Sequence, residues 1–277
     1  MSRNDVRGCW EEIVLPIIVG QKSKSELAEF LVKPDMDKPS MSYQLHVKAE
    51  ALRLANLDKD AIERYLNSIL IDRNNANAYY GLGLSYKKTN RIEKAIDAFE
   101  KAQKLRDLDF NICYELGVCY LLVGEICPAM KNLVKALKIN PKNLNAQIQL
   151  ALAHEIVEEE DMALMIYQKI IETSPGYVKA YDHKSALLMN MEKYPEASQV
   201  FNKILKINSN FYRAYLGIGI CFDKMNKGAD AIRYYKKFLE LKPKSHHAEF
   251  VITRLRELKS AQQNSKSFDV PRLSLVK

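Results

Sequence analysis

An internal repeat of 34 residues constrains this chain more than any other feature. Six windows of that length run without insertion from Ser42 to Ser245, and their first residues are 42, 76, 110, 144, 178 and 212. When the positions in each window are numbered as columns 1 to 34, column 20 is alanine in all six windows. Self-similarity at a fixed period is typical of arrays in which identical small units stack on one another. The chain should therefore be built by repetition.

The apolar columns predict two helices in each window. Columns 4, 7, 8 and 11 share one helical face at the 3.6-residue period, and columns 20, 24 and 27 form a second stripe. Column 8 is always Ala, Gly or Ser, whereas column 24 is always large, holding Tyr65, Phe99, Leu133, Tyr167, Phe201 and Tyr235. A large side chain needs a small one opposite, and columns 8 and 20 supply it. Polar turns separate the two predicted helices.

These residues resemble the tetratricopeptide repeat, a 34-residue helix–turn–helix with Leu-Gly, Tyr, Ala, an aromatic residue and Pro at set places. The matching residues in the second and third windows are Gly83, Tyr86, Ala95, Phe99, Leu116, Gly117, Tyr120, Ala129, Ala136 and Pro141. The resemblance covers 204 of the 277 residues (6 × 34 = 204). It implies an all-α fold, a right-handed α-solenoid of stacked antiparallel helix pairs that form a superhelix.

The same register divides the chain into four parts. Residues 1–41 are expected to form an N-terminal arm that is partly helical or flexible. Residues 42–245 hold the six repeats, at 42–75, 76–109, 110–143, 144–177, 178–211 and 212–245. Residues 246–260 predict a capping helix, because Phe250, Val251, Leu255 and Leu258 share one face. Residues 261–277 are expected to be a flexible tail.

Lysine replaces the expected apolar residue of column 7 in two windows, at Lys48 and Lys184. A lysine can bury its aliphatic stem and still extend its ammonium group to water. We therefore expect both lysines to be tolerated without a functional role.

In the resembled family, columns 2, 5, 9, 12 and 13 of the first helix line a concave groove. Columns 5 and 9 are apolar or aromatic at nine of their ten positions in repeats two to six, columns 12 and 13 add four apolar residues, and contiguous apolar surface marks interaction sites. We therefore expect a groove that binds an apolar or amphipathic segment of another protein. The predicted lining residues are Tyr80, Leu84, Lys87, Tyr114, Val118, Leu121, Leu122, Ile148, Leu152, Ile156, Met189, Leu216 and Ile220.

The sequence alone leaves open which segment fills the groove and which face of the repeats contacts a partner. The apolar arm segment around Trp10 and Ile13 to Val19, or the tail from Phe268 to Val276, could lie in the groove until a partner displaces it. Alternatively, the chain is a structural subunit of a larger assembly, contacted over the convex face. Column 2 holds Asn77, Asn111 and Asn145, which fit helix N-caps better than contacts to a bound peptide backbone.

Catalysis and nucleic-acid binding are less favoured. None of the five histidines has a metal-site spacing, and no phosphate-binding loop or nucleophile motif is present, so we predict a chain that is not an enzyme and needs no metal or cofactor. The net charge of +8 permits nucleic acid. The fourth window, however, carries −5 (one basic and six acidic residues), which interrupts any basic groove along the repeats.

The composition favours a cytoplasmic protein. The five cysteines include no Cys-x-x-Cys pair, which fits buried thiols in a reducing compartment. No apolar run approaches the roughly 18 residues needed to span a membrane. Glu11 and Glu12 precede the most apolar N-terminal stretch, where a secretory signal would carry positive charge.

Overall fold

The structure is a computed structural model that describes residues 38–268, with side-chain burial for residues 41–263. Within that range it contains thirteen α-helices and no strand, which confirms the all-α prediction. Trp10, the Ile13–Val19 segment and the tail beyond Phe268 lie outside the described residues.

The helices follow the 34-residue register. In repeats two to six the first helix begins at column 1 of its window, at Ala76, Phe110, Leu144, Val178 and Tyr212. The helices are α1 Lys38–Leu54, α2 Asp58–Ile71, α3 Ala76–Lys88, α4 Ile92–Leu105, α5 Phe110–Leu122, α6 Ile126–Ile139, α7 Leu144–Ile156, α8 Glu160–Thr173, α9 Val178–Asn190, α10 Tyr194–Ile207, α11 Tyr212–Lys224, α12 Gly228–Leu241 and α13 Ala248–Phe268.

The chain divides into two compact units, and the boundary lies between Ala153 and His154, inside α7. Unit 1 contains the described residues up to Ala153, and unit 2 contains those from His154 onward. In unit 1, α1 packs on α2, α3 on α4 and α5 on α6. In unit 2, α9 packs on α10 and α11 on α12, while α13 packs on α12.

The core of each unit lies where one repeat meets the next. In unit 1, Ile112, Leu116 and Cys119 of α5 pack against Ala95 and Phe99 of α4. In unit 2, the equivalent columns of α11 pack in the same way on Phe201 of α10; they hold Ala214, Ile218 and Cys221. Columns 3, 7 and 10 of a first helix therefore contact the second helix of the repeat before it.

The side chain of column 24 contacts first helices on both sides. A Cβ atom added to Gly83, in column 8, would lie 2.6 Å from the Phe99 ring of the same repeat. A Cβ atom added to Gly81, in column 6, would lie 2.4 Å from the Tyr65 ring of the preceding repeat. Gly219 and Gly217 stand in the same relation to Tyr235 and Phe201, with separations of 2.6 and 2.3 Å, respectively. The predicted need for a small residue opposite column 24 is confirmed in column 8, and Gly81 and Gly217 meet the same need in column 6 of repeats two and six.

Every turn between the two helices of a repeat has the same backbone. Column 15 has positive φ in all six repeats, at Asn56, Asn90, Gly124, Glu158, Glu192 and Asn226. The next N–H donates to the carbonyl of column 11, as from Arg91 to Tyr86 at 2.9 Å. This pair of features is the Schellman C-cap, which satisfies the last carbonyls of the first helix. The two glutamates adopt the left-handed conformation at a cost of about 1 kcal/mol each.

The capping helix α13 covers the second helix of repeat six. Val251 and Leu255 are buried against Tyr235 and Phe238. The helix continues to Phe268, whereas the sequence predicted its end at residue 260. Most of the extra residues are polar, but Ala, Gln and Lys among them have high helix propensity. A polar composition therefore does not end a helix that is already nucleated.

Both column 7 lysines are partly buried, and burial lowers the pKa of each. Lys184 donates from Nζ to Gln168 Oε1 at 2.7 Å, on the second helix of the preceding repeat. The stem is therefore buried as expected, but the ammonium group of Lys184 bonds to protein.

We expect Gly83→Val to destabilise unit 1 by about 2 kcal/mol, because overpacking a close-packed core costs about 1–3 kcal/mol and the Phe99 ring has no exposed surface. Gly176→Val is the matched control, since an added Cβ there meets nothing within 4 Å. The free energy of unfolding in urea checks both variants. Equal values for the two would contradict the packing described for columns 8 and 24.

Candidate binding face

The predicted groove residues lie on the first helices, and each unit carries its own set. In unit 1 they are Tyr80, Leu84 and Lys87 on α3, Tyr114, Val118, Leu121 and Leu122 on α5, and Ile148 and Leu152 on α7. In unit 2 they are Ile156 on α7, Met189 on α9, and Leu216 and Ile220 on α11.

In unit 1 the predicted residues differ in how far they reach solvent. The Leu122 side chain is 60% exposed, and those of Leu84, Val118 and Leu152 are half-buried. Ile148 is only 4% exposed, so its side chain lies in the core. We call the surface formed by Tyr80, Leu84, Tyr114, Val118, Leu121, Leu122 and Leu152 the first-helix face of unit 1. It combines exposed leucine with half-buried aromatic and aliphatic groups.

Ion pairs that the sequence did not predict accompany these apolar groups. Lys87 Nζ lies 2.5 Å from Glu115 Oε2 and so joins α3 to α5. On α1, Arg53 pairs with Glu50, which also accepts a hydrogen bond from the Tyr65 hydroxyl at 2.5 Å. Lys87 and Arg53 therefore each have a carboxylate partner within unit 1.

Burial raises the pKa of the Tyr80 hydroxyl to about 12, and the negative charge of Glu115 contributes to the rise. Tyr80 therefore remains a neutral hydroxyl that can donate or accept a hydrogen bond at physiological pH. Its ring packs against Phe99 at a centroid distance of 5.7 Å, which fixes the position of the side chain.

The asparagines of column 2 are not the N-caps that the sequence predicted. The caps lie two residues earlier, in column 34: Asn75 Oδ1 accepts from the Ala78 N–H at 3.0 Å, and Asn143 Oδ1 accepts from the Ala146 N–H at 2.9 Å. Asp109 caps α5 in the same way. The helices begin at column 1, so column 2 lies inside the first turn. The side chains of Asn77, Asn111 and Asn145 are therefore exposed, on α3, α5 and α7, respectively.

In unit 2 the equivalent columns are more polar. Asp182 occupies column 5 of repeat five and pairs with Arg213 at 3.2 Å. Burial raises the pKa of the Asp182 carboxyl and lowers the pKa of the neighbouring His183. His183 stacks on the Tyr167 ring at 5.8 Å. This part of unit 2 presents charged groups where unit 1 presents apolar ones.

Two predicted residues of unit 2 belong mainly to its core. Leu216 is 8% exposed and packs in the cluster that joins α11, α12 and α13, and Met189 packs on the cluster around Leu188. Ile156 is exposed, and Ile220 is half-buried against the α13 cluster. The sequence placed Phe250 on the inward face of the capping helix with Val251 and Leu255, but its side chain is 53% exposed, so that prediction is wrong.

A tyrosine in column 24 is matched by a carboxylate on the first helix. Tyr167 donates to Glu155 at 2.5 Å in unit 2, and Tyr235 donates to Asp223 at 3.2 Å. Arg254 of α13 binds both Asp223 oxygens, with distances of 2.7 and 2.8 Å. A buried phenol needs a hydrogen-bond partner. These carboxylates thus accept the bonds of buried phenols, and Asp223 also holds α13.

Among residues 38–268 no group of three His, Cys, Asp or Glu side chains is placed to bind a metal ion. In the same part of the chain, none of the helices has the length and apolar character required to cross a membrane.

Comparison with known families matches three segments of the chain. Models described as Tetratricopeptide repeat match residues 76–107 and 213–245. A model described as TPR repeat matches residues 51–90. A search of curated proteins found no matching relative.

Solved structures with similar folds cover most of the chain. A tetratricopeptide repeat protein from Parabacteroides merdae has a TM-score of 0.66 and 16% identity, and the match covers 92% of this chain and 97% of that one. PilF of Pseudomonas aeruginosa has a TM-score of 0.61 and 14% identity, with 81% and 99% covered. YrrB, described as a TPR protein with an unusual peptide-binding site, has a TM-score of 0.53 and 18% identity, with 68% and 97% covered. These likenesses show the fold.

We expect Asn75→Ala to lower the free energy of unfolding by about 1 kcal/mol, because it removes an N-cap. Asn77→Ala should change it by less than about 0.5 kcal/mol, as is usual for exposed positions. Urea unfolding of the two variants distinguishes a cap from an exposed amide. A larger loss for Asn77→Ala would show that column 2 does support the helix.

Asp223→Asn and Glu155→Gln form a matched pair, because each carboxylate accepts a bond from a column 24 tyrosine. The Arg254 bonds hold the pKa of Asp223 below its ordinary value. The ionised Asp223 carboxylate therefore stabilises the fold at neutral pH, and this stabilisation is lost as the pH falls through the folded-state pKa of Asp223. Burial instead raises the pKa of Glu155. Its ionised form therefore reduces stability at neutral pH, and that cost disappears as the pH falls through the raised pKa.

At neutral pH we expect Asp223→Asn to lower the free energy of unfolding by about 1–2 kcal/mol and Glu155→Gln to leave it unchanged or raise it. The loss for Asp223→Asn should shrink in acid. Urea titrations of both variants at neutral and acid pH check this expectation, and equal losses at neutral pH would contradict it.

Proposed function

Because the chain is a tetratricopeptide-repeat protein, we propose that it is a non-catalytic protein-interaction module whose unit 1 binds an apolar or amphipathic segment of another polypeptide. The bound segment would lie along the first-helix face of unit 1. The observation that carries the proposal is the exposed and half-buried apolar surface on successive first helices, with Leu122 as its most exposed member. Such surface is uncommon on a protein that binds nothing.

Polar groups of the same helices fit a polypeptide ligand. The exposed amides of Asn77 and Asn111 occupy the same column of α3 and α5, and each has both a donor and an acceptor, as a peptide backbone requires. Tyr80 adds a neutral hydroxyl beside the apolar groups. The description of YrrB, a protein of similar fold, as having a peptide-binding site supports this class of ligand.

The expected affinity is modest. Four buried anchors that cover about 400 Å² would contribute roughly 10 kcal/mol at about 25 cal/mol/Å². Association costs at least about 4 kcal/mol and commonly more. The net affinity should then be micromolar or weaker, unless the asparagine amides or Lys87 make additional bonds to the ligand.

A second candidate function uses the second helices. Leu70 on α2 is 74% exposed, and its column is charged in each of the other five repeats. Leu66 and Val134 are also exposed on second helices of unit 1. This surface supports a structural subunit that a larger assembly contacts over the convex side. The two candidate functions differ in which substitutions in unit 1 should abolish partner binding, those on the first helices or those on the second helices.

The test compares two triple variants in a lysate pull-down with mass spectrometry. We expect Leu84→Glu/Val118→Glu/Leu152→Glu to lose the captured polypeptides, because three buried carboxylates cannot be desolvated against an apolar ligand. The matched control is Leu66→Glu/Leu70→Glu/Val134→Glu, which makes the same chemical change on the second helices.

Far-UV circular dichroism first establishes that both variants remain helical. Partners lost only in the first variant support the first-helix face. Partners lost only in the control variant would support the second-helix surface and contradict the proposed site.

A further inference from the structure

Methionines replace polar residues on the second helix of repeat four. In the other five repeats column 19 holds Asp, Glu, Lys or Pro, and column 22 holds Asp, Glu, Gln, Lys or Arg. In α8 these columns are Met162 and Met165, which are 42% and 57% exposed. Since the other repeats stack without a large apolar side chain at either column, packing does not require these methionines.

The two methionines share one face of α8. Residues three apart are neighbours on a helix surface, and the buried residues Ala163, Tyr167 and Ile170 lie on a different face. Val157, in the turn that leads into α8, is 40% exposed. Methionine is flexible and polarizable, and it is common on surfaces that accept apolar partners of varied shape. This exposed surface therefore suits the apolar side chains of a partner.

Carboxylates accompany the apolar groups. Glu158, Glu160 and Asp161 lie in the turn and first residues of α8, and all three are exposed. Among residues 41–263 no cation forms an ion pair with any of these three carboxylates. Glu159, by contrast, has a partner, since its Oε2 lies 2.6 Å from His154 Nδ1. Three negative charges beside the methionines are therefore available to a ligand.

The charge of the repeat indicates the kind of ligand. Repeat four carries −5, with Lys169 as its one basic residue, whereas the whole chain carries +8. A cationic ligand is repelled by the chain as a whole and attracted to this repeat, and a polyphosphate or an anionic membrane is repelled by the same carboxylates. We call the surface formed by Val157, Glu158, Glu160, Asp161, Met162 and Met165 the acidic methionine face.

We propose that the acidic methionine face binds a basic amphipathic helix of another polypeptide. The apolar stripe of that helix would pack on Met162 and Met165, and its lysines or arginines would pair with the carboxylates. An amphipathic helix carries an apolar stripe flanked by charged groups, which is the combination that this surface complements. The proposal does not depend on ligand binding by the first-helix face, which lies in unit 1.

The test uses a fluorescein-labelled synthetic peptide of about 18 residues, or five helical turns, with leucines along one helical face and lysines elsewhere. The matched control peptide keeps the leucines and has glutamate in place of every lysine. Fluorescence anisotropy with the full chain at physiological salt should show saturable binding of the lysine peptide and no binding of the glutamate peptide.

Methionine methyl NMR locates the bound peptide. In a chain with isotope-labelled methionine methyl groups, the lysine peptide should shift the signals of Met162 and Met165. Met41 of α1 is 52% exposed and serves as the internal control; its signal should stay unchanged. Shifts of Met41 as large as those of Met162 and Met165 would show attachment without a defined site and would overturn the proposal.

The first variant removes the apolar groups. Met162→Lys/Met165→Asp introduces the residue types that repeat two carries in columns 19 and 22 and leaves the net charge unchanged. It should weaken binding of the lysine peptide by about tenfold or more, because the peptide then covers no methionine surface. Leu105→Lys/Leu108→Asp is the matched control, since both leucines are exposed in unit 1, and it should leave the affinity unchanged.

The second variant removes the charges. Glu158→Asn/Glu160→Gln/Asp161→Asn should weaken binding by at least about threefold and reduce its dependence on salt. Asparagine has positive φ in the column of Glu158 in three other repeats, so the turn accepts this change. Far-UV circular dichroism establishes that both variants remain helical.

Unchanged affinity of Met162→Lys/Met165→Asp would overturn the proposal, as would equal binding of the glutamate peptide. Binding that leaves the Met162 and Met165 signals unshifted and is lost in Leu84→Glu/Val118→Glu/Leu152→Glu would place the peptide on the first-helix face instead. Absence of peptide binding, together with a dimer in analytical ultracentrifugation that the methionine variant loses, would assign the acidic methionine face to a second copy of the chain.

Discussion

The structure depends on one buried side chain per repeat, the large residue of column 24. Its ring or isobutyl group lies between column 8 of its own first helix and column 6 of the next first helix. Phe99 against Gly83 and Tyr65 against Gly81 show the two contacts. Because half of this environment comes from the neighbouring repeat, no repeat completes its core alone. Stacking follows from this contact, and so does the need to cover both ends of the array.

The same contact determines which residues remain available for binding. Packing between helices uses columns 3, 7, 8, 10, 20 and 24. The residue types that differ most between repeats therefore lie in columns 2, 5, 9, 12 and 13 of the first helices. In unit 1 these columns carry apolar groups beside exposed asparagines. In unit 2 they carry the Asp182–Arg213 pair. The two units thus have one packing scheme but offer different surfaces, and the apolar surface of unit 1 is the one suited to a hydrophobic segment.

Periodicity predicted the helices well because repeated packing leaves a repeated signal. The start of the first helix in repeats two to six and the small residue opposite column 24 follow from six aligned windows, whereas α1 begins four residues before its window, at Lys38. The left-handed residue of column 15 could not be predicted, since Asn, Gly and Glu all occupy it and only the backbone shows what they share. The N-caps were misplaced by two residues, because Asn75 and Asn77 are equivalent by residue type. Ile148 and Leu216 were assigned to the groove by column alone, whereas local packing decides their burial.

Hydrogen exchange of the chain alone and with a polypeptide captured from lysate tests the central claim most directly. The first-helix face of unit 1 predicts that the ligand slows exchange in α3 and α5, beside Leu84 and Val118. Exchange in α4 and α6, which carry none of the residues of that face, should change much less. Slower exchange confined to α4 and α6, with α3 and α5 unaffected, would contradict the account and place recognition on the second helices.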